Sequence, residues 1–100
     1  MTTPEGRTKH LLKKFLDAQG VYYFMPVQTG YGRSSVDFLC CDKGIFFAIE
    51  TKRPGVNKPT ARQSLVMEEM RKAGAQTYVV TLDERDNLVW CKQCDTSGSK

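Results

Sequence analysis

The chain has 100 residues, 40% hydrophobic and 26% charged, which suits one domain and leaves no room for a second core. Fifteen basic against eleven acidic residues give a formal charge of +4, tilting the expected partners towards polyanions such as nucleic acid. The longest apolar run, Ile45 to Ile49, falls far short of the roughly 20 residues that span a bilayer.

Met1 to Glu5 lacks the basic and apolar pattern of a secretory signal, so a cytoplasmic protein without membrane contact is expected. Cys40 and Cys41 are adjacent in an apolar strand pattern, and Cys91-x-x-Cys94 has no second pair of Cys or His to complete a zinc site, His10 being the sole histidine. Reduced thiols are expected, with His10 on a helix surface.

Thr2-Thr3-Pro4-Glu5 has the form of a capping box, and Leu11, Leu12, Phe15 and Leu16 recur on one stripe until Gly20, which predicts a helix over Pro4 to Gln19. Val21 to Val27 is rich in Val, Tyr and Phe and reads as a strand, with Pro26 near its end at an edge or bend. Tyr22, Tyr23 and Phe24 are expected in the core rather than stacked on bases. Residues 28 to 35, with two glycines, several hydroxyls and Arg33, make a polar loop of the kind that carries binding groups.

Val36 to Cys41 and Ile45 to Lys52 are strands joined at Asp42-Lys43-Gly44, apolar on both faces near the turn, which predicts a sheet covered on both sides. After the Pro54 to Pro59 connection, Leu65, Val66, Met70 and Ala73 mark a second helix from about Thr60 that Gly74 ends. Met67 and Met70 belong to its packing face or to a dimer face. Thr77 to Leu82 is a β-branched strand, Asp83 to Asn87 a turn, and Leu88 to Cys91 a short last strand. The expected architecture is an α/β domain over residues 1–94, a central mixed sheet flanked by helices, followed by a disordered tail over 95–100.

The register of the two central strands decides which of their side chains meet. If Lys43-Gly44 forms a two-residue turn, Asp42 pairs with Ile45 and Asp37 lies opposite Glu50, whereas a three-residue turn without a bulge would put the two carboxylates on opposite faces. Strand periodicity then puts Lys52 on the same face as Glu50, about 6.6 Å along. Two ionised carboxylates about 4 Å apart repel by roughly 4 kcal/mol at an effective dielectric of 20. A lysine relieves part of this; a dication with oxygen preference relieves more, and Mg²⁺ characteristically takes one or two carboxylates while keeping water and phosphate oxygens. Such a site suits phosphodiester hydrolysis, with Lys52 orienting water or offsetting charge. Arg33, Arg53, Lys58 and Arg62 flank this end of the sheet, where they could contact backbone phosphates.

The stretch Gly32-Arg33-Ser34-Ser35-Val36-Asp37-Phe38, then Phe47-Ala48-Ile49-Glu50-Thr51-Lys52, then Gln63 in the second helix, resembles the PD-(D/E)xK nuclease superfamily. Within it the chain is similar to VRR-Nuc domains, small replication and repair nucleases found alone in phages and fused to larger repair proteins. The resemblance spans roughly residues 5 to 82 and implies the restriction-endonuclease-like α-β-β-β-α-β core. It implies a Mg²⁺- or Mn²⁺-dependent endonuclease, with Asp37 and Glu50 as metal ligands, Lys52 beside the attacking water and Gln63 completing the site. Glu5 matches the family's further acidic position. Val36 stands where Pro is usual before the Asp. The DNA contacts expected are Tyr31, Arg33, Ser34, Ser35, Arg53, Lys58 and Arg62. The substrate implied is DNA, including four-way or flapped forms cut by a homodimer with one site per strand.

Blander readings stand beside these. Asp37 and Glu50 could form a surface pair bridged by Lys52, worth about 0.2–1 kcal/mol. Glu5 could serve only a capping box, and Gln63 could be solvated. The whole chain could be a catalytically silent DNA-binding module on the same fold.

Overall fold

The computed structural model describes residues 3–27 and 35–93. Helix α1 runs Pro4–Gln19. Its N-cap is Thr3, whose Oγ1 accepts the Gly6 N–H at 3.0 Å, and Pro4 at the first position has the φ a helix start needs. Gly20, at φ 72°, ends it in the left-handed region that glycine reaches without strain. Thr8, Leu12 and Leu16, four residues apart, form its buried stripe.

Five strands follow, β1 (Tyr22–Phe24), β2 (Phe38–Asp42), β3 (Ile45–Thr51), β4 (Gln76–Leu82) and β5 (Leu88–Gln93), with α2 (Ala61–Lys72) between β3 and β4. The sheet order is β1-β2-β3-β4-β5. All neighbours are antiparallel except β3 and β4, which are parallel because the chain returns through α2. The chain therefore has the expected mixed sheet flanked by helices. The β2–β3 turn has positive φ at both Lys43 (51°) and Gly44 (87°), the two-residue hairpin geometry that matches strand twist. Asp42 pairs with Ile45 and Phe38 with Ile49, the register on which the site depends.

That register divides the core. Phe38, Cys40, Ile49 and Val80 face Leu12 and Leu16 of α1, while Val36, Ala48 and Val79 face Met67 of α2. Each large apolar side chain withdrawn this way contributes about 1.5–3 kcal/mol. Met67 and Met70 do pack the helix, as expected. The thiols of Cys40, Cys41 and Cys91 are unbridged, and burial pushes the Cys40 thiol up to about 12. Cys94, and the 95–100 tail, lie outside the described residues.

Two expectations are corrected. Tyr22 and Phe24 are not core residues but 70% and 55% exposed. The edge strand β1 turns only Tyr23 towards the α1 layer, where its ring meets Phe38, and α2 packs on β3 and β4 without reaching β1. Nor are both faces covered along the whole hairpin: Ile45 and Phe46 are exposed near its tip. There Phe15, Val21, Ile45, Phe47, Tyr78 and Trp90 line an open groove of about 460 Å³.

Candidate metal centre

The carboxylates converge where β3 leaves the sheet. Asp37 sits in a bend just before β2, and its orientation is fixed from β3: Oδ2 accepts the Thr51 N–H at 3.0 Å and the Thr51 hydroxyl at 2.6 Å. Glu50 lies one residue earlier on β3 and is only 3% exposed. From α2, the Gln63 Nε2 donates to Glu50 Oε2. The other end of the same amide accepts the Thr60 N–H at 2.8 Å, while Thr60 Oγ1 accepts the Gln63 N–H at 3.2 Å. Thr60-Ala-Arg-Gln63 is thus a capping box whose N3 residue also grips Glu50. Gln63 is therefore engaged rather than solvated.

Glu5 completes the group from the first turn of α1. Since Thr3 caps the helix through Gly6, Glu5 is turned to the cluster, and one oxygen each of Glu5, Asp37 and Glu50 lies within 4.8 Å of the others. Carboxylates at that separation repel by about 3–4 kcal/mol per pair at an effective dielectric of 20. Glu50 registers it: burial first, then the Asp37 charge, pushes its carboxyl up to about 8, with Glu5 adding to the rise and the Lys52 ammonium and the Asp37 backbone N–H opposing it. An all-oxygen set crowded this closely fits a hard dication of the Mg²⁺ or Mn²⁺ type rather than a metal seeking nitrogen or sulfur.

Lys52 is held through its backbone. Its N–H donates to Val80 O at 2.9 Å, and its carbonyl accepts the hydroxyl of fully buried Thr8 at 2.8 Å. Helix α1 is thereby tied to the residue following the last rung of β3. From the same helix, Lys9 Nζ stands 3.7 Å from Asp37 Oδ1.

The structure thus brings together Glu5, Asp37, Glu50, Lys52 and Gln63. Arg53, Lys58 and Arg62 are exposed along the segment from the end of β3 to the first turn of α2, and Ser35 is half-buried two residues before Asp37. Tyr31, Arg33 and Ser34 lie outside the described residues. Sequence reasoning missed Thr8, Lys9, Thr51 and Thr60. Thr8 was visible as a polar residue on the Leu12 and Leu16 stripe, and Thr60 as the start of a capping box. Lys9, four residues after Glu5, reads as half of a surface helix pair, and nothing in the sequence distinguishes Thr51 from any other β-branched strand residue.

A solved structure described as a VRR_NUC domain superposes with a TM-score of 0.66 at 30% identity, covering 78% of this chain and 84% of that one. The chain belongs to the VRR_NUC domain family. Hjc of Archaeoglobus fulgidus, a Holliday junction resolvase from an archaeal hyperthermophile, shares the fold with a TM-score of 0.68 at 19% identity, over 86% of this chain and 73% of that one. No family model matches the sequence, and no curated protein does. The structural likeness to the VRR_NUC domain agrees with the resemblance carried by Asp37, Glu50 and Lys52.

Proposed function

We propose that this VRR_NUC domain is a Mg²⁺- or Mn²⁺-dependent endonuclease that hydrolyses phosphodiester bonds in DNA. The observation that carries the reading is the convergence of Glu5, Asp37 and Glu50 to within 4.8 Å beside lysines on a nuclease-type fold. Glu5, Asp37 and Glu50 would hold the ion. Bound there, a dication supplies Lewis acidity to a phosphoryl oxygen and acidity to a water.

The chain's own residues account for the remaining work. Lys52, its backbone fixed by Val80 and Thr8, orients the attacking water and offsets charge on the phosphorane. Gln63 fixes the rotamer of Glu50, and Thr51 that of Asp37. Arg53, Lys58 and Arg62, with Tyr31, Arg33, Ser34 and Ser35, contact backbone phosphates or stack on a base.

Branched DNA, four-way or flapped, is the substrate class proposed. The resolvase name of the Archaeoglobus neighbour supports it, as does the geometric advantage of a homodimer that sets one site on each of two strands. The domain is taken as residues 1–94, working in the cytoplasm, or in that of a host cell if a phage encodes it. No helix among the described residues is long and apolar enough to cross a membrane.

The test is a cleavage panel on linear, nicked, flapped and four-way DNA with Mg²⁺ and with Mn²⁺, alongside Asp37→Ala and Lys52→Ala. Cutting that needs the metal and disappears in both variants is expected. Metal-independent cutting, or activity surviving both substitutions, refutes the proposal. DNA binding without any cutting would identify a silent binding module instead.

A further inference from the structure

The site contains an ammonium that the proposed chemistry does not use. Lys9 lies on α1 one turn after Glu5, its side chain 35% exposed, with Nζ 3.7 Å from Asp37 Oδ1. The two oxygens of Asp37 are treated differently. Oδ2 accepts both hydrogen bonds from Thr51, whereas the Lys9 contact at Oδ1 exceeds hydrogen-bond length. Lys9 therefore contributes charge rather than a directed bond, and it has no fixed geometry to surrender when a cation arrives.

The charges then decide what it does. Glu5, Asp37 and Glu50, when ionised, carry three negative charges against the two positive charges of Lys9 and Lys52. A dication alone takes this set past neutrality to a net positive charge, and one phosphodiester anion restores balance. Without Lys9 the metal alone would reach balance, and the phosphodiester would overshoot it.

We propose that Lys9 is a positioning residue that couples the two ligands: it opposes a dication bound alone and favours a dication bound together with a phosphodiester. Metal occupancy thereby becomes conditional on substrate, a positive coupling of the kind that linkage makes reciprocal. The inference rests on the metal-dependent reading above and adds to it a reason why the site should hold metal weakly until DNA is present.

The experiment is calorimetric titration of Mn²⁺ into the full chain and into Lys9→Met and Lys9→Arg, each alone and with a phosphorothioate-backbone duplex, which keeps the phosphate charge and resists hydrolysis. Lys9→Met should bind Mn²⁺ alone about tenfold more tightly, the effect of removing one unit charge within several Å of a dication in a partly hydrated site. Lys9→Arg should stay within about twofold of the parent. The duplex should raise the Mn²⁺ affinity of the parent about tenfold and that of Lys9→Met by much less. A misfolded variant would bind metal more weakly, the opposite sign. Unchanged or weaker Mn²⁺ binding by Lys9→Met, or an undiminished duplex effect, overturns the proposal. Failure of the parent chain to bind Mn²⁺ at millimolar concentration even with the duplex present is a different result, and it overturns the metal-dependent function itself.

Discussion

Replacing Glu50 by glutamine removes a buried ionisation opposed by its surroundings while keeping an acceptor for the Gln63 amide. Burial and the Asp37 charge raise the Glu50 carboxyl from 4.5 to about 8, so between those values the metal-free folded state binds a proton that the unfolded chain has lost. Stability must therefore fall as pH rises through that window and level off above it. At about 1.36 kcal/mol per pH unit, the full loss is on the order of 5 kcal/mol, a large share of what a small domain has.

Glu50→Gln should match the parent near pH 4 and be more stable at pH 8.5, by at least 10 °C in Tm given about 4–8 °C per kcal/mol for a chain of this size. Adding Mn²⁺ at pH 8.5 should raise the Tm of the parent, because binding to the folded state alone stabilises it, and should raise that of the variant far less. The assay is differential scanning calorimetry from pH 4 to 9, in chelator and then in Mn²⁺. Equal stability of the two proteins at pH 8.5 in chelator, or equal shifts with Mn²⁺, would refute the reasoning.

Thr51→Val keeps the shape of the side chain but deletes the 2.6 Å hydrogen bond to Asp37; a bond to a charged group is worth about 1.5–3 kcal/mol, and both chelator-state stability and Mn²⁺ affinity, read by denaturant melts and calorimetry, should fall. Met67→Ala opens a cavity between α2 and the sheet and should cost about 2–5 kcal/mol in urea unfolding, with cleavage per folded molecule nearly unchanged at low temperature. Arg62→Ala, exposed at the start of α2, should weaken DNA binding similarly for all sequences and reduce the salt slope of log K by about 1, measured by fluorescence anisotropy from 50 to 200 mM salt.

What could be read from the sequence was what local rules determine. Lys43-Gly44 offers a two-residue turn, and once the structure takes that turn rather than a three-residue one, the register follows and brings the Asp37 and Glu50 carboxylates together. The extent of α1 followed from Pro4 and Gly20 with equal directness. Side-chain exposure on β1 was less accessible, because it depends on where α2 ends across the sheet and not on the Tyr-Tyr-Phe pattern itself. The choice for Glu5 between cap and cluster was open for a similar reason. Only the folded chain reveals that Thr3 takes the cap.

The parts that escaped the sequence share a physical character. Thr8, Lys9 and Thr51 act across 44, 28 and 14 residues of chain respectively, through contacts to Lys52, Asp37 and Asp37. None of those contacts leaves a periodic trace. They are nonetheless what the cluster requires, since three mutually repelling carboxylates would separate if each were free to rotate. Thr51 fixes one, the capped Gln63 fixes another, and α1, tied to Lys52 through Thr8, delivers the third. The scaffold holds in place a charge arrangement that is unfavourable by itself, and a dication would turn that crowding from a cost in stability into binding affinity.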